Sequence, residues 1–243
     1  AQNGIRAAYV TDSGLANNPA ALGAFVLAAK AHCIEVELLY GNPKWAAASQ
    51  HAVALGRLAE GIASIQALAT MPGLEGGRPT GLHVDVEPYI GKAWKSDMNG
   101  LANQFLDLLG KMQAQAKAAG LRLTVDIPFW FDAKMVTRAG LTRPLSEWVI
   151  DAVDRVTLMD YRDTATEVAK HGASEVAYAG AVGKQVVLGV ETMCISPGEI
   201  TFCQEGAGAV DAALQQVTAT FTAAPGLAGF AVHHYGSYTK LKP

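Results

Sequence analysis

Seven short runs rich in β-branched and aromatic residues recur along the chain: IRAAYV (5 to 10), CIEVELLY (33 to 40), GLHVDVE (81 to 87), LRLTVDI (121 to 127), DRVTLMDY (154 to 161), KQVVLGVE (184 to 191) and GLAGFAVHHY (226 to 235). Between them lie stretches of helical composition, 19 to 32, 46 to 70, 98 to 119, 144 to 152, 165 to 182 and 208 to 223, most of them rich in Ala, Leu, Gln and Lys. Strand and helix signals therefore alternate from end to end. Parallel strands need a crossover between them, so this alternation implies a parallel sheet with helices on its faces. Right-handed crossovers then leave a closed barrel or a doubly wound sheet. No Gly-x-Gly-x-x-Gly follows any of the runs, which weighs against a dinucleotide fold. Carboxylates or histidines end several runs instead, at Glu87, Asp126, Glu191 and His233 or His234, as at the mouth of a barrel. The expected fold is α/β, a (β/α)8 TIM barrel whose first strand is missing or atypical. The eighth strand is expected either upstream of Ala1 or hidden within 46 to 70.

A chain of 243 residues, half of them hydrophobic and 17% charged, can bury a sizeable core, and one domain over 1 to 243 is expected. The net charge is −3 and the 19 Lys and Arg are scattered, so no nucleic-acid partner is expected. The longest tempting apolar run, 20 to 31, is too short to span a bilayer and holds Lys30, so no membrane insertion is expected. Cys194 and Cys203 bracket the loop CISPGEITFC, which could close as a disulfide in an exported protein, while Cys33 reads as a buried thiol. An extracytoplasmic location, secreted or periplasmic, follows as an expectation. The cysteines lack Cys-x-x-Cys spacing, so neither structural zinc nor any other cofactor is expected.

In GLHVDVEPY, residues 81 to 89, His83, Asp85 and Glu87 alternate with Leu82, Val84 and Val86. Either this is a half-exposed antiparallel strand with its acids in water, or a barrel strand whose inward face turns polar at the mouth. Asp85 and Glu87 point to the same side, and their mutual repulsion would raise one pKa and keep a proton available for general-acid work. A glycosidic oxygen leaves only when protonated, and a neighbouring carboxylate steadies the positive charge that develops.

The Asp-x-Glu at the end of this run is followed in order by Met159-Asp160-Tyr161, a strand containing Gly189, and Gly229-Phe230-Ala231-Val232. From about Thr80 to Tyr235 this order resembles the carboxyl-terminal half of a chitinase-like glycoside hydrolase of family 18. The resemblance implies that Glu87 is the general acid, that Asp85 orients the substrate's acetamido group, and that Tyr161 reaches the same group. It also implies that the acetamido oxygen, not an enzymic side chain, attacks the anomeric carbon, with retention of configuration. The family's Asp-x-x-Asp-x-Asp-x-Glu motif is degenerate here: Thr80 and His83 stand at its first two Asp positions. Arg162 follows Tyr161 where the family has an acid, and His233 stands where it has a tryptophan.

Tyr9, Asp126, Trp130, Glu191 and His233 complete the expected substrate-binding set for a polysaccharide or oligosaccharide. Asp126 shares an alternation face with Thr124, and Glu191 ends its strand beside Gly189. Glu37 shares a face with Glu35, and Asp12 follows the first strand. The cluster Phe129-Trp130-Phe131 either stacks on a ligand or plugs the barrel. Beside the hydrolase reading stand a catalytically silent carbohydrate- or protein-binding barrel, and a metal-dependent hydrolase or deacetylase built on His83, Asp85, Glu87, His233 and His234.

Overall fold

A computed structural model describes residues 4–11 and 18–243, so Asp12 lies outside the described residues. The chain divides into two compact units, Ala1–Val125 and Asp126–Pro243.

The first unit runs β1 (Ala7–Thr11), α1 (Pro19–Ala31), β2 (Glu35–Gly41), α2 (His51–Ala67), β3 (Gly81–Asp85), α3 (Lys92–Ser96), α4 (Met98–Ala118) and β4 (Arg122–Pro128), the last crossing the unit boundary. β2 pairs with β1 and β3, and β3 with β4, all parallel. Local chemistry sets the helix ends. Asn18 caps α1 by accepting from the Ala21 N–H at 3.1 Å, with Pro19 in the first turn. Asp97 caps α4 through the Gly100 N–H at 2.8 Å, and Gly120 at φ +66° ends it. Val36, Leu38, Leu82, Val84, Leu123 and Val125 are buried under Leu22, Val26, Leu58, Phe105, Leu109 and Met112 from the helices. β3 is covered on both faces, which overturns the half-exposed antiparallel alternative: His83 is as inaccessible as Leu82 and Val84.

The stretch 46 to 70 hides no strand. α2 is flanked by 3-10 turns at Pro43–Ala46, Ala48–Gln50 and Leu68–Thr70, because its Ala, Leu and Ile positions follow a helical period that buries Ala54, Leu58 and Ile65. The run Ala48–Thr70 is also the one described helix long and apolar enough to cross a membrane, at a mean hydropathy of 1.2. It carries an Arg57–Glu60 ion pair at 2.7 Å. Cys33 is exposed, not buried: it sits at φ +57° in the turn after α1, which lifts its side chain out of the packing.

The second unit opens with a 3-10 turn at Phe129–Ala133, then β5 (Met135–Arg138), β6 (Leu141–Pro144), α5 (Leu145–Ala152), β7 (Arg155–Met159), α6 (Ala165–Ala181), β8 (Gln185–Glu191), α7 (Ala207–Thr220), β9 (Leu227–His233) and α8 (Tyr235–Tyr238). β8 pairs in parallel with β7 and β9. Val156, Leu158, Val186, Leu188 and Val190 pack under Val149, Val168, Val176, Val210 and Val217. β5 and β6 form an antiparallel hairpin between the expected strand run 121 to 127 and the expected helical stretch 144 to 152. Its two turn residues, Ala139 at φ +51° and Gly140 at φ +81°, both adopt the positive φ that a tight hairpin demands. Cys194 and Cys203 are joined, with their Cα atoms 5.0 Å apart.

All seven expected runs are thus parallel strands in an α/β fold, and no eighth parallel strand occurs among the described residues. Three runs stop short of their expected ends. β3 closes at Asp85, β7 at Met159 and β9 at His233, so Glu87 and Tyr161 lie just beyond their strands.

Candidate functional site

In the first unit the polar face of β3 builds upward from a buried ion-pair network. Glu37 on β2 is fully buried and accepts from Arg122 Nε at 2.7 Å, while the same guanidinium reaches Glu35 at 2.8 Å. His83 Nδ1 lies 3.3 Å from the other Glu37 oxygen. Burial pushes the Glu37 carboxyl up, but the hydrogen bonds and charges of His83 and Arg122 outweigh it and hold the group below its ordinary value. Tyr9 tilts against the His83 ring, centroids 4.1 Å apart. His83 is therefore committed to the interior, between Glu37 and Tyr9.

Two residues on, Asp85 ends β3 half-buried, paired in register with Gly41. A Cβ at Gly41 would come within 2.5 Å of the Asp85 carbonyl oxygen, so glycine lets the two strand ends close together here. Val86 tucks inward at 2% exposure, and Glu87, half-buried, enters the 3-10 turn Pro88–Ile90. That turn returns the Tyr89 hydroxyl to donate to Glu87 Oε1. A side chain beyond a strand end is free of the pleat, and Tyr89 supplies the orientation that the pleat would have given.

In the second unit the structure brings together three of the expected residues. Glu191 ends β8 almost completely buried, and its Oε1 accepts from the N–H groups of Thr192 and Met193, each at 2.7 Å. Its Oε2 takes the His233 Nδ1 proton at 2.8 Å. Burial pushes this carboxyl up, yet His233 and the two backbone donors prevail and hold it below its ordinary value. The His233 ring lies nearly parallel to that of Tyr161, centroids 6.2 Å apart. Arg162 donates to the Tyr161 carbonyl oxygen at 2.7 Å and lies over the Phe129 ring at 4.8 Å.

Asp126 sits half-buried in β4. The aromatic cluster divides its labour: Phe131 is buried, Phe129 stacks on His171 at 4.2 Å, and Trp130 stays half-buried with Lys134 Nζ 5.4 Å from its ring centroid.

Sequence reasoning overlooked the acids behind this surface. Asp160 is fully buried, with Oδ1 3.2 Å from His171 Nδ1, and burial pushes its carboxyl up to about 8. Glu175 on α6 is pushed up to about 7, again chiefly by burial. Asp160 stands in plain sight between Met159 and Tyr161, and Glu175 lies four residues after His171 on one helix face, but only the packed fold reveals their burial. Among the described residues no group of three or more His, Cys, Asp or Glu side chains is arranged to hold a metal ion.

No protein-family model and no curated protein matches the chain. Its fold is shared with solved chitinase structures. A GH18 chitinase from Pseudoalteromonas aurantia superposes with a TM-score of 0.55 at 10% identity, over 90% of this chain and 78% of that one. A chitinase from Chromobacterium violaceum gives 0.52 at 14% identity, over 95% and 86%. A class V chitinase from Nicotiana tobaccum in complex with NAG4 gives 0.50 at 14% identity, over 98% and 91%. At these identities the likeness is one of fold: a parallel-stranded α/β architecture of the kind those chitinases use.

Proposed function

We propose that the chain is a retaining glycoside hydrolase of the (β/α)8 barrel class that acts on a glycan containing N-acetylated aminosugars, with Glu87 as general acid and base. The observation that carries this reading is Asp85 at the end of a parallel strand with Glu87 just beyond it, held by the Tyr89 hydroxyl, in a chain that shares the fold of chitinases. Glu87 donates a proton to the glycosidic oxygen as the bond to the anomeric carbon breaks. The substrate's own acetamido oxygen closes on that carbon, Asp85 and Tyr161 steady the positive charge of the resulting ring, and water, deprotonated by Glu87, then opens it. Configuration is retained. Asp126, Trp130, Glu191, His233 and Tyr9 are the proposed binding residues. We place the protein outside the reducing cytosol, a reading that the Cys194–Cys203 disulfide supports.

Incubation with N-acetylchitooligosaccharides and with polymeric aminosugar glycans should generate new reducing ends. Glu87→Gln keeps the shape and removes the transferable proton, so turnover should fall about a hundredfold or more with affinity nearly unchanged. Asp85→Asn should slow turnover and shift the acidic limb of the pH profile. Full activity in Glu87→Gln would overturn the assignment. The second reading, a catalytically silent carbohydrate-binding protein, is favoured by the exposed imidazole of His233 in place of a broad aromatic platform. It predicts glycan binding with no reducing ends from the unaltered protein.

A further inference from the structure

We propose that His234 and Tyr235, at the carboxyl end of β9, form a further sugar subsite, in which the Tyr235 ring stacks on the flat face of a pyranose and His234 donates a hydrogen bond to the same sugar. The inference rests on the proposed action on aminosugar glycans and adds to its binding residues. Tyr235 is 72% exposed, more than any other large hydrophobic side chain among the described residues. An exposed tyrosine alone is ordinary. What sets this one apart is the fixed backbone beneath it. His234 caps α8: its Nδ1 accepts from the N–H groups of Gly236 and Ser237, at 3.0 and 3.3 Å. The Ser237 hydroxyl accepts from the His234 N–H at 3.1 Å and donates to the His234 carbonyl at 2.9 Å. Thr192 Oγ1 lies 2.7 Å from that hydroxyl and donates to the His233 carbonyl at 2.9 Å, which ties α8 to the end of β8. Gly236 leaves the imidazole its place, since a Cβ there would come within 3.1 Å of His234 Cε1. A backbone held in this way loses little freedom when its side chain takes up a ligand.

The same cap settles the His234 tautomer. A ring nitrogen that accepts two N–H groups carries no proton, so the neutral imidazole holds its proton on Nε2. Nε2 faces away from Nδ1, and so from the backbone of α8, and it has no partner among the described residues. The strand end therefore presents a ring face and, one residue before it, a fixed neutral donor. A pyranose with equatorial substituents answers both. Its C–H face lies on the negative face of an aromatic ring, and its rim carries hydroxyl and acetamido oxygens that accept hydrogen bonds. A purely apolar occupant would cover the imidazole and leave Nε2–H without an acceptor. Position agrees with chemistry: His234 follows His233, which is bound to Glu191 and lies beside Tyr161 in the same unit.

Equilibrium binding of thio-linked N-acetylchitotetraose, whose sulfur bridges resist hydrolysis, tests this without requiring turnover. Tyr235→Ala should weaken binding about fivefold, the scale of one aromatic contact, with the melting temperature unchanged because the side chain is exposed. Tyr235→Leu is apolar but has no ring face and should lose nearly as much, whereas Tyr235→Trp should bind several-fold more tightly than either. His234→Asn keeps an oxygen to cap α8 and removes the Nε2 donor, so it should weaken binding about threefold in a folded protein. Undiminished affinity in Tyr235→Ala or in His234→Asn overturns the proposal. So does a Leu variant that binds as well as the Trp variant, and so does an unaltered protein that does not bind the tetraose. If Tyr235→Ala instead abolishes a concentration-dependent dimer and leaves sugar affinity intact, the ring belongs to a contact between copies and the subsite fails. Failure of the hydrolase reading would appear separately, as absence of reducing ends from chitooligosaccharides while binding and its dependence on Tyr235 persist.

Discussion

Asp160 shows how far one residue can depart from its ordinary chemistry. Burial is the main cause of its pKa near 8, opposed by Arg162 and reinforced by Glu175 and Glu167. Its folded-state pKa lies above the unfolded value, so its contribution to stability is complete below about pH 4 and is lost progressively as pH rises to about 8. Glu175 behaves the same way up to about 7. Glu37 and Glu191, held low, act in the opposite sense: their contributions are present above the usual carboxylate range and vanish as the medium turns acid. The comparison must therefore be between variant and parent at each pH. Asp160→Asn, which cannot ionise, should gain stability relative to the parent between pH 5 and 8, by about 2 kcal/mol or more in urea unfolding. A pH-independent difference would mean that the carboxyl is already ionised at pH 5. Trp130 makes a second case. Phe131 is the ring that plugs the core, and Trp130 is left half-buried, so Trp130→Ala should weaken glycan binding by about 1 kcal/mol or more while barely lowering the melting temperature. An equal loss of both would make Trp130 part of the plug. Of the candidate residues, those carrying charge at strand ends were legible because alternation and position announce them, as with Asp85 and Glu191. Asp160 and the Tyr89 contact to Glu87 were not, since both depend on what the fold lays against them.

Elements were easier to read than contacts. The seven parallel strands fall on the seven β-branched runs, and in β2, β3, β4, β7 and β8 the Val, Leu and Ile content is enough to bury most of the strand, a signal that survives without any knowledge of partners, whereas β1 and β9 are only partly covered. The β5–β6 hairpin escaped because its turn is Ala139-Gly140, not the Asn-Gly or Asp-Gly that announces such a turn, and because its strands have only four residues each. The loop disulfide was legible from spacing alone. Close approach of elements is the kind of fact that composition conceals. Gly226, at the entry to β9, lies against the backbone of α6: a Cβ there would strike the Val176 carbonyl oxygen and sit 2.6 Å from the Gly180 nitrogen. Both obstacles are main chain, so α6 itself would have to move. Gly226→Ala should cost about 2 kcal/mol or more in urea unfolding. Gly208→Ala on α7, where nothing lies within 4 Å, should instead be neutral or stabilising by about 0.5 kcal/mol. Equal effects at the two positions would contradict this packing of α6.

For the whole molecule, the same fold as chitinases is reached with almost none of their residues, so hydrophobic order along the chain, not residue identity, carries the architecture. Chemistry has no such tolerance, and the proposed reaction makes a demand that the whole enzyme must meet. If the acetamido oxygen is the nucleophile, the substrate supplies an essential reacting group, and no carboxylate of the chain need lie beneath the anomeric carbon. A chitooligosaccharide and its fully deacetylated counterpart share backbone, length and glycosidic bond, and differ in that one group. In the proposed reaction Glu87 protonates the leaving oxygen of either. Turnover of the deacetylated oligomer should therefore fall by about a hundredfold or more, through kcat, as expected when the missing interaction belongs to the transition state. Its affinity should change far less. Comparable rates on both oligomers would require a nucleophile from the protein, and the assignment would then pass to a two-carboxylate mechanism with Asp126 or Glu191 as the partner to test next by replacement with the corresponding amide.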